Sequence, residues 1–208
     1  MTTDTKPIVD LASLPKLTLL QPQSPALQDD DTFKAGNWHL EFFGQLEAPV
    51  IVPVHVSTPR RYDVGEGDDY EILCESLDGV TGYGEPGGDC ATCPLSMWTD
   101  NGRGKKNDPP PCGERVVITA WLPEIQMPAV LTLKGSAMSV ASKLQSLIGL
   151  RGPNKLGFTL RSQRRQSQQY SWYIPTFVVT TVEPDALAPA DVADSDYSLR
   201  LASGMAAD

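Results

Sequence analysis

Four cysteines constrain this chain's fold more than any other feature. They stand at Cys74, Cys90, Cys93 and Cys112, in the spacing C-x15-C-x2-C-x18-C. Three of them fall within residues 78–113, a stretch rich in Gly, Pro, Asp and Asn. A bare loop of that length is improbable in a compact domain. Metal binding would supply the order that an apolar core cannot. The pair Cys90-Ala91-Thr92-Cys93, with Gly87-Gly88 before it and Pro94 after it, lets two thiolates approach one ion from a tight turn. Cys74 ends an expected strand and Cys112 precedes another, so both can close the site. Four soft ligands with no open position define a structural zinc site. A four-cysteine iron–sulfur cluster also accepts scattered cysteines, and free or disulfide-bonded thiols are the remaining reading. A catalytic thiol is disfavoured, because His39 and His55 are the only histidines and neither neighbours a cysteine in sequence. A closed thiolate site leaves zinc no water to activate.

The stretch Met1–Leu20 carries Asp4 and Asp10 and has no basic start followed by an apolar core, so it does not read as a secretory signal. No apolar run approaches the roughly 18 residues of a membrane span. The expected place is the cytoplasm, where thiols stay reduced and clustered cysteines favour metal over disulfide.

With 18 prolines and 17 glycines, the chain is expected to use short elements and frequent turns, hence β rather than α. Residues 1–35 read as a flexible N-terminal segment, although Leu17–Leu20 has the makings of a strand. Strands are expected at Trp38–Leu46, Val50–Ser57, Tyr70–Glu75, Glu114–Leu122 and Ala129–Lys134. Pro53 marks an edge or a bulge in the second of these. Ser136 fits a helix N-cap. Ala137, Val140, Ala141, Leu144, Leu147 and Ile148 then fall on one helical face, and Gly149 fits the stop. Phe158–Gln166 and Tyr170–Val182 read as a hairpin turning near Ser167-Gln168. Residues 184–208 read as an acidic flexible tail. Strands, one helix, then two strands fit a five-stranded, OB-fold-like barrel over residues 36–183, with the zinc insert 78–113 between its second and third strands.

Charge is unevenly spread. The net charge is -9, yet no Asp or Glu occurs from Ile125 to Val182, where seven Lys and Arg give +7 and leave -16 for the rest. Asymmetry of this kind is more informative than the sum. Single-strand binders pair a positive groove with aromatic faces for base stacking. The final hairpin offers both, in Arg161, Arg164, Arg165, Tyr170, Trp172 and Tyr173. Arg151 and Lys155 precede it. Arg60-Arg61-Tyr62 repeats the combination, as does Trp98 with Lys105 and Lys106 in the insert. Against this stand plainer roles: a solvated hairpin turn for the arginines, core packing for Trp38, Trp121 and Trp172, and packing on the cysteine turn for Trp98.

The segments GGDCATCPLSMW and PAVLTLKGSAMSVASKLQSLI, with a later cysteine and a closing hairpin, resemble phage-encoded single-stranded DNA-binding proteins of replication and recombination. The likeness spans about Trp38–Val182. It implies an OB-like fold, single-stranded DNA (or RNA) as ligand, replication or recombination proteins as partners through the acidic tail, and a host cytoplasm. The zinc insert and the mildly acidic tail depart from the simplest members. The competing readings are a zinc-containing adaptor that binds a polymerase or nuclease, a virion structural protein, and an enzyme such as a nuclease. The last would use Asp63, Glu66, Asp68 and Asp69 to hold magnesium. No phosphate-binding Gly-rich loop, metal-binding His pair or nucleophile–His motif supports an enzyme.

Overall fold

In the computed structural model, which describes residues 14–65, 69–100 and 107–193, the chain is mostly β. The strands are β1 (Lys16–Leu19), β2 (Trp38–Leu40), β3 (Gly44–Leu46), β4 (Val50–Ser57), β5 (Arg60–Val64), β6 (Glu71–Ser76), β7 (Thr81–Gly84), β8 (Gly88–Asp89), β9 (Thr99–Asp100), β10 (Asn107–Asp108), β11 (Gly113–Leu122), β12 (Met127–Lys134), β13 (Gly157–Gln166) and β14 (Ser171–Thr180). The helices are α1 (Ala26–Asp29), α2 (Met138–Arg151) and α3 (Ala190–Ala193). Only α2 exceeds a single turn among the described residues. None of these helices is long and apolar enough to cross a membrane.

The sheet is organised around β11. One side of β11 pairs with β12, which leads through a parallel contact to β1, then β2 and β3. Its other side forks. Val117–Trp121 pair with β4, which continues to β13 and β14, while Gly113 and Glu114 pair with β5, which continues to β6, β7 and β8. β9 and β10 form a separate two-stranded ribbon. The run VVITAWL is buried without a break, and apolar but for Thr119, because both faces of β11 are covered. Val116, Ile118, Ala120 and Leu122 enter the main core with Trp38, Leu40, Ile51, Leu144 and Phe158. Trp121 faces the other way, onto Val52, Val54 and Ala188.

Several sequence expectations need correction. Trp38–Leu46 is a hairpin and not one strand, turning at Glu41–Phe43 with Phe42 left-handed (φ 68°). Phe42 is 86% exposed, so its ring gains nothing that offsets the backbone cost of roughly 1–2 kcal/mol for an L side chain. Phe42→Gly is expected to stabilise the fold by about 1 kcal/mol. Thermal unfolding measures this, and an unchanged or lower Tm would count against it. The helix begins after a 3-10 turn at Gly135–Ala137, so Ser136 is not its cap, and it runs through Gly149 to Arg151. Gly152 (φ 87°) makes the stop, a conformation that favours glycine. The segment from residue 14 to 35 is not loose. Leu17 and Leu20 are buried, and β1 lies between β12 and β2. Nor is the stretch after Val182 free as far as residue 193. Ala188 is buried and exchanges two hydrogen bonds with the Asn154 side chain. Residues 194–208 of the expected tail lie outside the described residues. Pro53 sits at a register shift between β4 and β11, as a bulge requires.

The sheet stays open, since no ladder joins β14 to β12 or β1 among the described residues. The outward edge of β14 is instead covered by a side chain. Gln21 accepts from the Tyr173 N–H (2.9 Å) and donates to the Tyr173 carbonyl (3.0 Å), as a neighbouring strand would. Two residues on, the same edge carries Pro175, which has no N–H to offer.

Candidate cysteine centre and nucleic-acid interface

The cysteine insert is mounted on the sheet by ion pairs. Arg60–Glu114 (3.1 Å), Arg61–Glu75 (2.6 Å) and Arg115–Asp63 (3.0 Å) all tie β5, β6 and β11 at its base. Arg60 and Arg61 are therefore engaged with carboxylates. Burial works against the Arg61 charge, but Glu75 and Tyr70 outweigh it and keep the guanidinium firmly protonated. Asp63, one of the carboxylates considered for magnesium, is taken up by Arg115 and the Tyr70 hydroxyl (2.9 Å). Glu66 and Asp68 lie outside the described residues.

Above this base the four cysteines line one small cavity of about 10 Å³, room for a single ion or water. Cys74 arrives on β6, opposite Tyr62 on one side and Gly84 on the other. Any Cβ at Gly84 would lie 2.1 Å from the Leu73 carbonyl oxygen, so only glycine allows β7 this close. A Cβ at Gly82 would come within 3.0 Å of the Cys74 sulfur and 3.7 Å of the Cys90 sulfur. The missing side chain thus keeps space at the thiols. Asp89 shapes the Cys90–Cys93 turn by accepting from the Ala91 N–H (3.0 Å) and the Thr92 hydroxyl (3.0 Å). Ser96 bonds the carbonyls of Cys90 (2.7 Å) and Cys93 (2.8 Å) from the following 3-10 turn. Cys112 is held by its N–H to the Leu95 carbonyl (2.9 Å).

All four thiols are free of disulfides. Burial pushes the Cys112 thiol up, Arg60 opposes this, and Cys90, Cys74 and Cys93 add to the rise. Among the described residues no three His, Cys, Asp or Glu side chains already stand as a metal-binding group. Ligation would need these sulfurs to close in further. Four thiols are the donor set of a structural zinc site, and the absent side chain at Gly82 leaves room beside two of them.

Among the described residues, the basic and aromatic side chains do not form a single groove. Alternation along β13 sends Arg161 and Arg165 to one face and Arg164 to the other. Register places Trp172 opposite Arg165 and Tyr173 opposite Arg164. Arg161, Arg165 and Trp172 therefore share a face. The exposed Tyr170 ring lies 5.3 Å from that of Trp172, tilted by 40°. Tyr173 is on the opposite face and part-buried, its backbone held by Gln21. Arg151 and Lys155 lie before the start of β13, about 30 Å from the hairpin tip at the usual rise of a strand. Trp98 is 63% exposed. Lys105 and Lys106 lie outside the described residues.

Sequence reasoning missed a second basic cluster. β1 and β12 pair only at Lys16–Val130 and Leu17–Leu131 and then part. Between them, beneath β14, opens a cavity of about 400 Å³ lined by Lys16, Arg115, Lys134, Ser136, Trp38 and Tyr173 among others. Its residues come from strands far apart in the chain, so no local motif announces it.

Comparison with protein families, with curated proteins and with solved structures finds no match to this chain.

Proposed function

We propose that the chain binds single-stranded nucleic acid without sequence preference, catalyses nothing, and uses its cysteines as a structural zinc centre. The observation that carries this reading is the exposed face of the last hairpin. Tyr170 and Trp172 stand ring to ring beside Arg165 and Arg161, with no carboxylate on either strand. Stacking surfaces beside cations are what single strands require. The strand order gives support from the fold. β12-β11-β4-β13-β14, with α2 between β12 and β13, is an order that suits a partly open, five-stranded OB-like barrel. Counted this way, the cysteine insert follows the first strand of the five and not the second, and the Tyr170 turn joins the last two. Loops at those two positions flank the binding face of OB-folds.

The test is anisotropy of labelled oligo-dT and of the matching duplex, at low and moderate salt. Single-strand binding that weakens with salt is expected. Trp172→Ala should weaken it by about 1–3 kcal/mol, the worth of one stacked base. Arg165→Ala should reduce the salt slope by roughly one phosphate contact. Absence of binding to either probe at low salt would end this reading. A zinc-containing adaptor for a polymerase or nuclease would then lead. One observation favours that second reading: Val80, Tyr83, Met97 and Trp98 all expose their side chains on the insert, the kind of surface a protein partner covers.

A further inference from the structure

We infer that the opening between β1 and β12 is a phosphate-binding site for a nucleotide-sized ligand. This site is separate from the hairpin face and does not depend on it. Every charged group lining the opening is a cation: Lys16, Arg115 and Lys134. Arg115 and Lys134 stand directly opposite each other in the β11–β12 ladder. Like charges in that relation destabilise a sheet. Asp63 neutralises Arg115 (3.0 Å), which leaves Lys134 without a carboxylate among the described residues. Lys16 adds a third cation from the facing strand. The carboxylate nearest Lys16 in the ladder, Glu41, accepts from the Lys16 backbone N–H (3.1 Å).

The uncharged lining is also rich in donors. Thr18, Thr132 and Ser136 contribute hydroxyls. The Gln21 amide is not among them, since its oxygen accepts from the Tyr173 N–H and its NH2 donates to the Tyr173 carbonyl. Trp38, fully buried, also lines the opening, and its Nε1 is the one buried side-chain polar atom without a hydrogen-bond partner among the described residues. A buried N–H left unpaired costs about 1–3 kcal/mol. Cations and donors with no carboxylate in the lining call for an oxygen-rich anion. The volume of about 400 Å³ lies in the range of small-molecule sites, larger than a lone phosphate needs. The shared chemistry is a phosphate group carried on a nucleotide, either free or at the end of a strand.

The experiment is a titration of the full-length, nitrogen-15-labelled protein, observed at the indole N–H signals. Trp38→Phe assigns the Trp38 signal, and the other three tryptophans serve as internal controls. The probes are inorganic pyrophosphate, thymidine monophosphate and 5′-phosphorylated oligo-dT. Saturable movement of the Trp38 signal is expected, with affinity falling about tenfold for each of Lys134→Gln and Lys16→Gln, the effect of one charge-assisted hydrogen bond. Movement with the free mononucleotide identifies a nucleotide site, and movement with the oligonucleotide alone identifies a strand-end site. Both uphold the inference. Should Trp38→Phe fail to fold, the signal whose response the exposed lysine substitutions weaken serves as the reporter. The inference is overturned if no indole signal moves with any probe at millimolar concentration, or if the double lysine variant responds as the native chain does. Loss of oligo-dT anisotropy in the hairpin variants, with the Trp38 response intact, would separate this site from the strand-binding face.

Discussion

Serine in place of Cys90 or Cys112 is expected to abolish zinc uptake and to unfold the insert while the main sheet persists. The reasoning rests on where order comes from in each part. β7, β8 and the turn at Cys90–Cys93 contribute no apolar side chain to the main core, so that cluster cannot hold them. In small metal-ordered domains the binding free energy is folding free energy, about 10–16 kcal/mol for a structural zinc at neutral pH. Removing one ligand of a closed four-thiolate set forfeits a large part of it. The core under β11, by contrast, contains no cysteine. The measurements are zinc content per chain by atomic emission and susceptibility of residues 78–113 to proteolysis. The native chain should carry one zinc and resist cleavage there, and the variants should do neither. A native chain purified with no metal, or a serine variant that keeps its zinc, would sink the proposal. Visible absorption from the purified protein would redirect it to an iron–sulfur cluster.

Phe158→Ala should cost about 3–5 kcal/mol, the range for removing a fully buried aromatic. Phe158 is 0% exposed, meets Phe177 edge to face at 5.4 Å, and stands opposite Ile51 where β13 joins β4. It therefore anchors the last hairpin to the rest of the sheet. Domains of this kind hold only about 5–15 kcal/mol in total, so the change would consume much of the reserve. Urea unfolding measures it, as a lower midpoint with an unchanged slope. A loss below about 1 kcal/mol would mean that the hairpin is not anchored there.

How much was legible in the sequence depended on how local the cause was. β4, β11, β12, β13 and β14 were found within a residue or two at most ends, because β-branched runs and turn residues act over a few positions. The hairpin at Phe42 was hidden because a phenylalanine in the left-handed region contradicts its own preference, and nothing nearby signals it. The helix stop was misplaced to Gly149 because a glycine inside a helix looks like an end until Gly152 is seen to take the turn. Alternation along β13 was available and would have separated Arg164 from Arg161 and Arg165. The cation-lined opening was out of reach. It exists because β1 runs parallel to β12, a pairing between residues more than a hundred positions apart. The docking of Ala188 over Trp121 likewise depends on a distant partner, Asn154.

Gln21 has a meaning for the life of this molecule in solution. A single amide occupies the place where another copy's backbone would otherwise begin to stack, and a proline stands guard two residues further along. This edge is kept from pairing by a side chain that stands outside the main core. Position 21 is therefore one where a change with almost no effect on folding would be felt as fibres or precipitate, at high concentration and over time.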